Sequence, residues 1–206
     1  MTHPLLRAAR VLSAGTARAA SIMAYLAGWN YVACAIFITA DVLGRSFLGV
    51  SSAATIEITG YMLAGGIAWG LAHALARRAH IRVDALVNRL PARPRAVLHI
   101  LALSLLGAFA VFSAWAGWTL LDESLLFDAH DNSALHIPLA LPQGLWVFGL
   151  AAFCVMIMVL LLEAVLGLVL QGPAAVDALL GPRGLQDETE EALEAIAMAR
   201  RAGTAP

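Results

Sequence analysis

Four long apolar segments, separated by shorter polar ones, dominate the pattern of the chain. They run from about residue 21 to 43, 56 to 75, 96 to 121 and 145 to 170. The hydrocarbon core of a bilayer is about 30 Å thick, so a spanning helix needs about 20 mostly apolar residues. Lipid offers no hydrogen-bond partner for open backbone groups, and these segments are too long and too uniformly apolar for barrel strands. The pattern therefore predicts four transmembrane helices.

The composition supports an all-α integral membrane protein. Hydrophobic residues make up 61% of the 206 residues and charged residues 13%, whereas a soluble domain averages about 45–50% apolar and about 25% charged residues. The first apolar segment continues to Leu43, well beyond the roughly 7–15 apolar residues of a signal peptide. We therefore interpret it as a spanning helix and not as a cleaved leader.

The arginines predict the orientation of the helices. The chain has thirteen arginines and no lysine. Twelve of the arginines lie before the first helix, between the second and third, or after the fourth, and Arg45 alone lies on the opposite side. Because basic residues concentrate on the cytoplasmic side, we expect both termini to be cytoplasmic and residues 46–54 and 122–143 to be periplasmic.

This orientation divides the chain into three parts. Residues 1–20 form a basic cytoplasmic N-terminal tail, residues 21–170 a four-helix transmembrane domain, and residues 171–206 a cytoplasmic C-terminal tail. Between the second and third helices, Asp84 can cap a short amphipathic helix that Pro91 ends. This helix is expected to lie at the cytoplasmic membrane surface.

Ionisable residues inside the predicted spans lie near the membrane surfaces. Asp41 and Arg45 have the i, i+4 spacing that lets side chains pair on a helix, and Glu57 opens the second helix at the same outer surface. Glu163 lies near the inner end of the fourth helix. Intramembrane charges often mark functional sites, but these shallow positions favour structural ion pairs or contacts with another subunit.

Other residue patterns give no indication of an active site. Cys34 and Cys154 stand apart from each other, so they form no redox or metal pair, and the six histidines show no ligand spacing. We expect no catalytic residue, no metal and no cofactor, and the net charge of −1 gives no indication of nucleic-acid binding. Gly66 and Gly70 form a G-x-x-x-G motif, which lets a helix of this chain or of another approach closely.

Three segments together resemble the small membrane subunit, the DctQ-like family, of tripartite ATP-independent periplasmic (TRAP) transporters. Residues 39–47 are similar to the family's apolar-D-V-x-x-R-x-F exit from the first helix, and residues 133–149 to its approach to the fourth. The most specific segment is R-R-x-H-I-x-V-D followed by L-P. Its matched positions include Arg77, Arg78, His80 and Asp84. The family often has W-x-E-E at the start of the second helix, where this chain keeps Glu57 and lacks the tryptophan.

The resemblance implies a small permease subunit without a transport site of its own. Such a subunit accompanies a large permease subunit that carries the substrate and sodium sites, and a periplasmic binding protein delivers an organic acid. Its expected place is the bacterial inner membrane, in contact with membrane lipids, where it braces the large subunit. Its arginine-rich loop is expected to be an organising element.

Two alternatives remain open from the residues alone. An autonomous small four-helix transporter would need an acidic residue deep in a helix. A membrane anchor of a redox complex would need facing histidine or cysteine pairs.

Overall fold

The computed structural model is all-α over the residues it describes, which are 3–52, 54–79, 87, 90–132, 135–181, 189, 193, 196–198 and 200. Four of its helices are long and apolar enough to cross a membrane, which confirms the predicted four-helix membrane fold. A short fifth helix follows them. The helices are α1 (Pro4–Leu48), α2 (Thr55–Ala76), α3 (Ala92–Leu126), α4 (Ala140–Gln171) and α5 (Pro173–Leu180).

The first helix begins much earlier than the predicted span. It starts at Pro4, so most of the basic N-terminal tail continues α1 without a break. At 1.5 Å per residue, its 45 residues extend over about 67 Å, compared with about 40–45 Å for a bilayer with its headgroups. Its buried residues recur mostly at seven-residue spacing, which keeps one narrow stripe against neighbouring helices. These residues are Leu6, Ala9, Ala20, Ala27, Cys34 and Asp41.

The fourth spanning helix is the centre of the structure. Helices α1 and α2 pack on each other and on α4, whereas α3 packs on α4 and α5. Helix α3 is also buried along a single stripe with a seven-residue repeat. That stripe contains Ala96, His99, Leu103, Ala110, Gly117 and Ser124.

Glycines lie where the helices approach most closely. A Cβ atom added at Gly149 of α4 would lie 2.8 Å from the backbone of Ala68 in α2. A Cβ atom added at Gly117 of α3 would lie 2.9 Å from the ring of Trp146 in α4. Lipid tails are as apolar as leucine, so helix association in a membrane depends on such close packing. The glycines therefore set the distances from α4 to both α2 and α3.

Polar side chains add contacts between helices within the bundle. The Asn30 amide nitrogen donates to the Met62 carbonyl at 2.6 Å, and the Ser21 hydroxyl lies 3.2 Å from His73 Nδ1. Both contacts join α1 to α2 and lie on either side of Gly66 along α2. Interhelical hydrogen bonds of this kind stabilise membrane bundles modestly.

The chain turns back at the C-terminal end of α4. Gly172 has a φ of +92° and Pro173 follows it as the first residue of α5, a sequence that ends one helix and starts the next. Helix α5 places Val176 and Leu180 in the same buried cluster as Leu75 of α2. The first part of the predicted C-terminal tail is therefore packed against the four-helix bundle. The predicted amphipathic helix after Asp84 lies outside the described residues.

The orientation leads to a labelling prediction. In a background without Cys34 and Cys154, Ser52→Cys and Asn132→Cys should react with a membrane-impermeant maleimide in intact cells, because both positions are exposed in the predicted periplasmic loops. Ala79→Cys should react only after permeabilisation, since it follows the predicted cytoplasmic end of α2. Labelling of Ala79→Cys alone in intact cells would reverse the orientation.

Candidate functional site

Two of the charged residues predicted for the outer surface, Asp41 and Arg45, form an ion pair near the end of α1. Asp41 Oδ2 and Arg45 Nη2 are 2.6 Å apart, and the Asp41 side chain is only 4% exposed. The other carboxylate oxygen accepts hydrogen bonds from the Ser51 hydroxyl at 3.2 Å and the Ser52 amide at 2.9 Å. A carboxylate so bonded to backbone and side chains fixes the path of the chain between α1 and α2.

Glu57 is placed apart from this ion pair. It is half-buried in the first turn of α2, where a negative charge is favourable beside the helix N-terminus. The structure thus brings Asp41 and Arg45 together and leaves Glu57 as a separate acidic side chain of α2.

A second carboxylate, Asp131 in the loop between α3 and α4, has a role that the sequence did not indicate. It is buried, its Oδ1 accepts from the Ile137 amide at 3.0 Å, and its own amide donates to the Ile137 carbonyl at 3.0 Å. The Tyr61 hydroxyl lies 3.5 Å from its other oxygen. The contacts close the loop between α3 and α4 and connect it to α2. The available signal was the Asp-Asn-Ser run, which is typical of a turn stabilised by side chains.

Glu163 joins α4 to the N-terminal extension of α1. It is 8% exposed, and its Oε1 is 3.7 Å from Arg10 Nε. Arg10 also donates to Gln171 Oε1 at 3.0 Å. Because Arg10 lies in the predicted tail, the sequence did not identify it as the partner of Glu163.

The two arginines that open the R-R-x-H-I-x-V-D segment, Arg77 and Arg78, lie in different environments. Arg77 is exposed at the end of α2, whereas Arg78 has a φ of +55°. The Arg78 amide bonds to the Leu75 carbonyl at 3.0 Å and the Ala79 amide to the Ala74 carbonyl at 2.9 Å. This pair of bonds closes the helix as a Schellman motif.

The Arg78 side chain holds the end of α5. Its Nη2 donates to the Ala178 carbonyl at 2.6 Å and its Nη1 to the Gly181 carbonyl at 3.5 Å. A cation beside the free carbonyls of a helix C-terminus is favourable. Arg78 therefore connects the end of α2 to α5. His80 and Asp84 lie outside the described residues, so their organising role stays a prediction.

An ion pair between α3 and α5 was also not predicted from the sequence. Arg95 of α3 donates to Asp177 Oδ2 of α5 through Nε at 2.9 Å and Nη2 at 2.5 Å. Both side chains are mostly buried, and His99 Nε2 lies 3.8 Å from the other carboxylate oxygen. Nothing in the sequence pairs residues that are 82 positions apart.

The two glycines of the G-x-x-x-G motif lie in different environments. A Cβ atom on Gly66 would lie 2.7 Å from the ring of Tyr31 in α1, whereas a Cβ atom on Gly70 would meet nothing within 4 Å. Gly66 thus serves the packing of the chain itself. We expect Gly66→Leu to destabilise this chain directly, whether or not a partner is present.

Comparison with known proteins bears on the identity of this bundle. Residues 34–167 match the family model "Tripartite ATP-independent periplasmic transporters, DctQ component". The match includes Asp41, Arg78, Arg95 and Glu163, and it ends before α5. No curated protein and no solved structure matches the chain. The matched segment covers most of the chain, from the last third of α1 to near the end of α4, and the chain belongs to the DctQ family of TRAP transporter components.

Proposed function

We propose that this chain is the small permease subunit of a TRAP-type secondary transporter in a bacterial inner membrane. In this role it braces the large permease subunit during sodium-coupled uptake of an organic acid, which a periplasmic binding protein delivers. The observation that carries the proposal is the family match over residues 34–167.

The contacts at both ends of the bundle support a bracing role. At the outer end, Asp41 holds the loop between α1 and α2, and Asp131 holds the loop between α3 and α4. At the inner end, Glu163 contacts α1 and Asp177 contacts α3. A brace must keep its shape while another domain moves, and charged contacts that hold the loops at one end and neighbouring helices at the other oppose a change of that shape.

Reconstitution tests this function directly. Proteoliposomes with an inward sodium gradient should take up a candidate organic acid only when this chain, the large permease subunit and the binding protein are all present. A sodium ionophore is the control, since it dissipates the gradient without removing any subunit. Sodium-driven uptake by this chain alone would contradict the proposal and favour an autonomous transporter.

A further inference from the structure

One exposed face at the start of α1 combines arginines with apolar and small residues. Arg7, Val11, Ala14 and Arg18 are spaced by four, three and four positions, so they lie on one side of the helix. All four residues are exposed, and Val11 is 68% exposed. These four residues are called the basic α1 face below.

The two arginines of this face differ from most other arginines that the structure describes. Arg10, Arg45, Arg78 and Arg95 each make a side-chain contact within the chain. Within the described part of the chain, Arg7 and Arg18 contact no carboxylate and make no side-chain hydrogen bond. Among the described residues, no carboxylate therefore compensates either positive charge.

Apolar side chains beside these arginines indicate what surrounds this part of α1. Leu5 is 59% exposed and Leu12 is 50% exposed, although both precede the predicted span. A helix that presents arginines together with exposed apolar residues is typical of the boundary between headgroups and acyl chains. The segment is also held in place, because Arg10 contacts Gln171 and Glu163 of α4.

We propose that the basic α1 face binds the headgroups of anionic phospholipids in the leaflet next to it. The guanidinium groups of Arg7 and Arg18 complement phosphate in charge and geometry, and the exposed side chains of Val11 and Leu12 meet the upper part of the acyl chains. Since this face precedes the family-matched residues 34–167, its lipid binding is independent of the bracing function.

Lipid titration of the purified full-length chain tests this binding by native mass spectrometry. The chain should bind phosphatidylglycerol more tightly than phosphatidylcholine, and the double variant Arg7→Gln/Arg18→Gln should weaken phosphatidylglycerol binding by up to about 25-fold. The estimate is about fivefold for each charge near a membrane surface. The matched control, Arg7→Lys/Arg18→Lys, keeps both charges and should retain the preference. Phosphatidylcholine binding and the thermal midpoint should not change in either variant, because neither arginine side chain makes a hydrogen bond or ion pair to the described residues.

Three results would overturn the proposal. The first is equal affinity of the wild-type chain for phosphatidylglycerol and phosphatidylcholine. The second is an undiminished phosphatidylglycerol preference in Arg7→Gln/Arg18→Gln. The third is displacement of the bound lipid by excess inorganic phosphate, which would assign the face to a soluble anion. Retention of the lipid in that competition supports a site that includes the acyl chain.

Discussion

Gly149→Ala should lower the thermal stability of this chain, whereas the same change at Gly70 should leave it unchanged or raise it. The added methyl group at Gly149 would lie 2.8 Å from the backbone carbonyl carbon and from the Cβ of Ala68. Backbone atoms cannot move aside as a flexible side chain can, so α2 and α4 must separate. At Gly70 nothing lies within 4 Å of the added methyl.

The comparison isolates packing from helix propensity. Both substitutions gain the same intrinsic preference of alanine for a helix, about 1 kcal/mol, while overpacking at Gly149 costs about 1–3 kcal/mol or more. Gly66→Ala should fall between the two, because its methyl would meet the side chains of Tyr31 and Asn30, which can shift. Circular dichroism of the purified variants during heating in detergent measures the order. Equal midpoints for Gly149→Ala and Gly70→Ala would show that the close contact between α2 and α4 does not limit stability.

Hydropathy predicted the fold because the bilayer imposes a minimum length on every apolar segment. It could not predict the helix ends, which depend on local backbone geometry and on packing. Helix α1 begins at Pro4 because its buried stripe continues through Leu6 and Ala9 onto neighbouring helices. Helix α2 ends where Arg78 adopts a left-handed conformation, and nothing in the sequence marks an arginine for that role.

In the candidate sites, contacts within one helix could be predicted from the sequence, whereas contacts between helices could not. The pairing of Asp41 with Arg45 follows from their spacing on one helix. Gly66 and Gly70 belong to one motif, yet only Gly66 meets a neighbouring helix, since a motif does not state which face is turned inward. The contact of Arg10 with Glu163 depends on the crossing angle between α1 and α4. No sequence pattern predicts that crossing angle.

The ion pair between Arg95 and Asp177 should be the main side-chain attachment of α5 to α3. Arg95 makes two hydrogen bonds to one carboxylate oxygen. The side chains are 27% and 19% exposed, so water screens the pair only in part. Loss of one member leaves a mostly buried charge without its partner, which costs about 1–3 kcal/mol for a pair that is not fully buried.

Arg95→Ala should therefore lower the thermal midpoint and speed hydrogen exchange of the α5 amides, while Arg93→Ala should change neither. Arg93 is a close control, because it is exposed in the same first turn of α3 and has no side-chain partner among the described residues. In the double variant Arg95→Ala/Asp177→Ala neither charge is left uncompensated, so its loss of stability should be smaller than the sum of the two single losses. Strictly additive losses, with α5 exchange as slow as in the wild-type chain, would show that apolar burial of Val176 and Leu180 holds the helix without this ion pair.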